Sequence, residues 1–292
     1  MLFARLLLLL AKQEKAVEDL ARKHRSSSHM QSEAPQSAEA AAEAAASRES
    51  ARHRKQAVDR ATSRSTTDAP YTHFLSLPLP SFHSSVDTLR SSILASHPTA
   101  PGLEPSIFVC PTSLHFTVCM LALPTSEHVQ RAAEALTSVA VPMSDGLDVR
   151  LCGLAVMNDR PEAAHVMYMQ PDEPSQQRLS ELAARLINAM RRAGVLSDGE
   201  MRKQRMLSRD RTSGEERVNV KWHATVINTK HRRRSGGDRH GGFRRQPVDV
   251  SSVLAQYGST DWGEGAIATC ELSRLSWDET TLFYPCDGRL LL

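Results

Sequence analysis

Two short segments of this chain repeat one pattern on a strand-like background: Leu114-His115-Phe116-Thr117 and Trp222-His223-Ala224-Thr225. Side chains alternate across a β-strand, so a histidine and a threonine two positions apart project from the same face. By that alternation His115, Thr117 and Cys119 share a face, opposite Leu114, Phe116, Val118 and Met120. Likewise His223, Thr225 and Ile227 oppose Trp222, Ala224 and Val226. One face of each strand can pack on a core, while the other carries an imidazole beside a hydroxyl towards an opening. The copies stand at positions 115 and 223, a separation that suits one lobe of a compact domain. A single His-x-Thr arises readily by chance. Two copies at equivalent places in two half-repeats constrain the fold far more tightly.

The half-repeats are read from element order, since their sequence identity is slight. Residues 71–79 alternate as a strand should and end at Pro78 and Pro80. Residues 86–96 have helical spacing, and residues 114–123 form the first His-x-Thr strand, stopped by Pro124. A helix is expected over 127–140, with Thr125 or Ser126 as its cap. Two strands over 147–157 and 164–169 follow, joined by Asn158-Asp159-Arg160-Pro161. A long helix over 175–193 places Leu179, Leu182, Ala183, Leu186, Ile187 and Met190 on one face and stops at Gly194. The second half runs through a strand over 218–229, a short helix over 248–257, and strands over 267–277 and 281–291. Strands mixed with helices, without regular βαβ alternation, indicate an α+β fold.

Apolar residues are unevenly spread. Residues 1–68 form an N-terminal extension, low in complexity and rich in Ser, Ala, Glu, Gln and Arg from about residue 25. A stretch of that composition buries too little surface to offset its ordering entropy and is expected to be disordered. Residues 69–292 hold nearly all the aromatic and β-branched residues and suit one folded domain. The start, Met1-Leu2-Phe3-Ala4-Arg5 and then Leu6 to Leu10, is shorter than the roughly 20 apolar residues a membrane span needs. It runs into a charged helical pattern without a small-residue cleavage site. An amphipathic helix is the first reading; an organelle-targeting segment and a misassigned start are the others.

The net charge of +3 excludes a chain that binds nucleic acid by overall charge alone. The charge is local, however: Lys230-His231-Arg232-Arg233-Arg234 and the stretch 239–245 form a glycine-interrupted basic run just after the second His-x-Thr. A solvated loop is the plainer reading. Its neighbour suggests a second, in which Arg232, Arg233 and Arg234 hold an RNA backbone or another polyanion. Five cysteines, an odd number without CxxC spacing, read as reduced core thiols of an intracellular protein. No HExxH, carboxylate cluster or Walker-type loop points to a metal site, so no metal and no cofactor is expected.

Cleavage of a phosphodiester through a neighbouring hydroxyl or water needs a base for the attacking oxygen and an acid for the departing one. Histidine serves both purposes near neutral pH. Threonine hydroxyls can hold non-bridging phosphate oxygens as charge gathers there. His115 and His223 are therefore the candidate catalytic pair, with Thr117 and Thr225 as phosphate-binding partners.

On these residues the chain resembles the two-histidine (2H) phosphoesterase superfamily, in the branch with the A-kinase anchoring protein 7-like phosphoesterase domain. That branch includes activating signal cointegrator 1 complex subunit 1. The matching pieces are Tyr71-Thr72-His73-Phe74-Leu75-Ser76-Leu77-Pro78-Leu79, Pro111-Thr112-Ser113-Leu114-His115-Phe116-Thr117, Leu151-Cys152-Gly153-Leu154-Ala155-Val156-Met157 and Trp222-His223-Ala224-Thr225-Val226-Ile227-Asn228-Thr229. The tail over 248–257, Trp262-Gly263 and Phe283-Tyr284 also follow the branch. The resemblance implies a bilobal α+β fold with two pseudo-symmetric lobes of mostly antiparallel sheet around a central cleft, one His-x-Thr from each. It further implies a metal-independent phosphodiesterase for nucleotide or RNA phosphodiesters, 2′,5′-linked or cyclic. The alternative is a module that binds nucleotide or RNA within a transcription-coactivator or DNA-repair assembly and turns nothing over. Expected partners are a nucleotide or RNA substrate and subunits of such an assembly, with no membrane, for a monomer in cytoplasm or nucleus. On this reading neither a GxxG-containing KH-like module before Tyr71 nor a kinase-anchoring helix after Leu292 is expected, and neither relative's partner network is carried over.

Overall fold

The computed structural model describes residues 69–97, 100–141, 146–209, 216–232 and 245–292. In chain order the elements are β1 (His73–Pro78), α1 (His83–Ser96), β2 (His115–Leu121), α2 (Ser126–Thr137), β3 (Leu147–Val156), β4 (Val166–Pro171), α3 (Glu173–Arg192), α4 (Asp198–Lys203), β5 (Leu207–Arg209), β6 (Glu216–Val218), β7 (Ala224–Asn228), α5 (Ser251–Tyr257), β8 (Asp261–Ile267), β9 (Thr269–Arg274) and β10 (Cys286–Leu291). One sheet runs β10-β9-β1-β2, a second β7-β4-β3-β8, and β5 pairs with β6 as a small hairpin. Every strand pair is antiparallel. This is the α+β architecture that the mixture of strand and helix patterns indicated, in the bilobal form that the family resemblance implied. The readings made for residues 1–68 lie outside the described residues. Among the described helices none is long and apolar enough to cross a membrane.

The helices form where local chemistry starts and stops them. Thr125 Oγ1 accepts from the His128 amide at the start of α2, as its position before a periodic apolar stretch suggested. Asp172 does the same for α3 by accepting from the Ser175 amide. At the other end of α3 the Val195 amide donates to the Met190 carbonyl and that of Gly194 to Arg191, with Gly194 at φ 69°. These two bonds close the helix in the left-handed glycine conformation that L-residues avoid. Helix α3 buries Leu179, Leu182, Ala183, Leu186, Ile187 and Met190, the face its spacing predicted.

Three features depart from the linear reading. The lobes are not the two halves of the chain: β9 and β10 return to complete the sheet begun by β1 and β2, while β8 pairs with β3. The expected strand over 218–229 is broken, since β6 pairs with β5 and only Ala224–Asn228 joins the larger sheet. Strand β8 escaped sequence reading because Asp-Trp-Gly-Glu-Gly-Ala-Ile has two glycines and no clean alternation.

The His-x-Thr strands lie at sheet edges, β2 at one end of its sheet and β7 at one end of the other, and these edges come together. Unpaired edge groups find partners elsewhere. Along β2 the Gln204 side chain clasps Met120, taking its amide on Oε1 (2.7 Å) and donating Nε2 to its carbonyl (3.0 Å). Along β7 the Val109 amide donates to the Val226 carbonyl (2.9 Å), and Phe108 bridges Ile227. Beneath the junction, Phe116 of β2 and Trp222 meet edge to face at 5.7 Å, so the apolar core is continuous between the lobes.

Candidate functional site

Each His-x-Thr is followed at once by a β-bulge. In β2, Leu75 faces Cys119 and Ser76 faces Thr117, which leaves Val118 as the extra residue. In β7, Met167 faces Ile227 and Tyr168 faces Thr225, which leaves Val226 unmatched in the same way. A bulge inserts one residue and turns the following side chains over. Val118 and Cys119 are therefore both buried, as are Val226 and Ile227. The strict alternation expected to put Cys119 and Ile227 beside the histidines fails here. In their places Met120 and Asn228 reach the cleft, so each strand contributes its residues in the order i, i+2, i+5. Burial pushes the Cys119 thiol up to about 12, and it behaves as a core residue.

The cleft between these strands has a volume of about 620 Å³, and His115, Thr117, His223 and Thr225 all line it. That size is typical of a site for a small ligand. Both imidazoles are held alike: His115 Nδ1 lies 2.7 Å from the Ser113 carbonyl oxygen, and His223 Nδ1 lies 2.7 Å from that of Lys221. A carbonyl can only accept, so each Nδ1 carries the proton and each Nε2 is left for other partners. The shared arrangement is a ring bonded two residues back along its own chain.

Burial lowers the affinity of both rings for a second proton. His115 falls to about 4, chiefly by desolvation, with the charges of His223 and Lys230 acting in the same direction. His223 is also lowered, first by desolvation and then by Lys221. Both imidazoles are therefore neutral at neutral pH. A phosphate between them reverses this balance, since a neighbouring anion favours the imidazolium.

The walls differ. Beside His115 lie rings: Phe74 at 5.3 Å between centroids and Tyr284 at 5.7 Å, the latter packed edge-on against Trp277 at 5.6 Å. On the β7 side Asn228, Lys230 and His231 line the cleft, beside Phe108 and Val109 from the segment paired with β7. The Asn228 Oδ1 accepts from the Lys230 amide and the Arg245 guanidinium, which fixes its side chain. Near His223, Lys221 Nζ sits 5.6 Å from the centre of the Tyr168 ring.

The basic run divides. Lys230 and His231 face the cleft, whereas Arg232 turns away and donates Nη2 to the Gly102 carbonyl at 2.8 Å. Arg233 and Arg234 lie outside the described residues. Sequence reading had grouped Lys230 with the loop and had passed over Met120, Asn228 and Trp277. A signal for Asn228 existed in the extended second motif, but its face depends on the bulge. Outside the cleft, His73 of β1 is buried and bonds Thr72 and Asp287, at 2.9 and 2.8 Å. No group of three or more potential metal ligands exists among the described residues.

Two lobes that each lend one His-x-Thr to a common cleft define a two-histidine phosphoesterase domain. Within that class the chain belongs to the AKAP7 2'5' RNA ligase-like domain family, whose description matches residues 71–292. Activating signal cointegrator 1 complex subunit 1 of Mus musculus is 28% identical over 215 residues, 69% of this chain and 54% of that protein. The chain thus spans about half the length of the curated relative it matches. Solved structures of similar fold include E. coli LigT complexed with 3'-AMP, at TM-score 0.44 and 15% identity over 76% of this chain and 98% of that one. E. coli LigT complexed with NADP+ gives 0.43 and 15% over 77% and 99%.

Proposed function

We propose that the domain is a metal-independent phosphodiesterase for nucleotide or RNA phosphodiesters with a 2′,5′ linkage or a cyclic phosphate. The observation that carries this reading is the matched pair of imidazoles. Both are tied through Nδ1 to a backbone carbonyl, both leave Nε2 available, and each has a threonine two residues on along the same cleft. In the reaction one Nε2 takes the proton from the attacking hydroxyl or water. The other imidazole, protonated, gives its proton to the leaving oxygen. Thr117 and Thr225 hold the non-bridging oxygens, and Lys230 offsets the charge that gathers on them. An anionic phosphate raises the affinity of both rings for protons, so binding itself charges the acid.

A second reading has support from the mouse relative, whose name describes it as a subunit of a complex. In that reading the cleft holds nucleotide or RNA within an assembly and carries out no cleavage. Turnover separates the two. With a chelator present, the protein should hydrolyse 2′,5′-linked diadenosine monophosphate or a 2′,3′-cyclic nucleotide. His115→Ala or His223→Ala should lower kcat by about 10²–10⁴-fold. Thr117→Val and Thr225→Val should cost less, because each removes a hydrogen bond and leaves the proton transfers intact. Nucleotide affinity without any turnover would favour the binding module.

A further inference from the structure

Trp277 is an exposed aromatic residue on the wall of the cleft, with 45% of its surface open to solvent. Leu275 lies on the same wall and is 43% exposed. Both belong to the segment joining β9 to β10, which Asp278 and Phe283 bridge into a hairpin-like loop. Exposed apolar residues scattered singly need no explanation, but these two line the same cavity.

The loop is tied to the site by a chain of rings. Tyr284 meets Trp277 edge to face, at 5.6 Å and 88°. It also meets Phe74 at 4.9 Å and 89°, and His115 at 5.7 Å and 82°. Trp277 is thereby braced one ring beyond the one that touches the imidazole. In a nucleotide the base lies one sugar away from the phosphate, a comparable offset. The β7 wall offers charge and hydrogen bonds through Asn228, Lys230 and His231, and its phenyl ring, that of Phe108, is only 7% exposed and presents no open face for stacking.

Building on the phosphodiesterase reading, we propose that Trp277 is a stacking platform for the base of the nucleoside whose phosphate lies between His115 and His223. The base occupies the His115 side of the cleft, and the remaining phosphate or sugar groups run along the Lys230 side. Recognition is then of a base-bearing ribonucleotide, tolerant of base identity, because every base has a flat face to stack. Trp277 is a specificity determinant, while the proton transfers stay with the histidines.

The test joins binding and kinetics. Intrinsic fluorescence should fall as adenosine 3′-monophosphate binds, but not with inorganic phosphate. Trp277→Phe should abolish that change, since Trp222 is buried and Trp262 bonds the Gly153 carbonyl through Nε1. With 2′,3′-cyclic adenosine monophosphate, Trp277→Ala should raise KM by about tenfold or more while leaving kcat nearly unchanged. Trp277→Phe should restore KM. With a cyclic phosphate of ribose lacking a base, wild type and Trp277→Ala should behave alike. An unchanged KM in Trp277→Ala, or an equal loss on the baseless substrate, overturns the stacking proposal and leaves the phosphodiesterase reading standing. A fluorescence response to the nucleotide that needs Trp277, in a protein that cleaves neither substrate, does the reverse.

Discussion

His115 shows how much a single side chain owes to its surroundings. Its imidazole sits against Phe74 and Tyr284, donates Nδ1–H to the Ser113 carbonyl, and feels the charges of His223 and Lys230. Desolvation dominates and takes it down from 6.5 to about 4. The unfolded chain then binds more protons than the native one between those values, so stability rises with pH across that window. Native protein should lose stability as pH falls from about 6.5 to about 4, by no more than about 3 kcal/mol from this group. Urea midpoints measured against pH would reveal it, and His115→Gln should flatten the slope. An unaltered slope would place the acid sensitivity in other groups. If the domain is the phosphodiesterase proposed, the same shifts act on catalysis: the kcat/KM profile, which reports the free protein, should peak below pH 6.5. The kcat profile should lie at higher pH, because bound phosphate favours the imidazolium.

At the scale of the element, what aims the site is the bulge. After Thr117 and after Thr225 one valine is inserted, and the strand resumes with its faces exchanged. Hydrophobicity could not disclose this, because Val118-Cys119 and Val226-Ile227 are consecutive apolar pairs compatible with either face. A third irregularity, in β3 at Gly153, is testable by a minimal change. Gly153 has φ +69°, and a Cβ there would lie 2.6 Å from the Gly258 carbonyl oxygen at the end of α5. Its amide donates to the Thr260 carbonyl and its own carbonyl accepts from Trp262 Nε1, so the backbone has little room to shift. Gly153→Ala should cost on the order of 2–4 kcal/mol, from left-handed strain and overpacking together. Equilibrium denaturation gives the value. A loss below about 0.5 kcal/mol would mean that the loop between α5 and β8 yields easily.

For the whole molecule, two sheet edges are held together so that histidines 108 positions apart, at 115 and 223, serve one cavity. The Val109–Val226 hydrogen bond and the Phe116–Trp222 contact join the lobes, and Trp222 also donates Nε1 to Ser180 Oγ on α3. Trp222 immediately precedes His223, so its anchorage sets where that imidazole stands. Trp222→Ala should destabilise the protein by about 3–5 kcal/mol, as loss of a buried large aromatic side chain does. If the domain is the phosphodiesterase proposed, the folded fraction should also show a reduced kcat, with Trp222→Phe retaining more of both. Full kcat in folded Trp222→Ala would show that the lobes keep their registration without this contact.

By itself the sequence determined the repeated His-x-Thr, the mixture of strands and amphipathic helices, the cap of α2 and the stop of α3, and the family. These are properties of local spacing and side-chain chemistry, which a chain carries whatever it packs against. Tertiary structure alone decided that β9 and β10 return to the first sheet and that β2 and β7 are edges. It also decided that Met120 and Asn228 displace Cys119 and Ile227 from the cleft, and that Lys230 enters it while Arg232 turns to Gly102. Strand order and bulge position depend on pairing between segments distant in the chain. A one-residue shift in that pairing reverses which face a side chain takes.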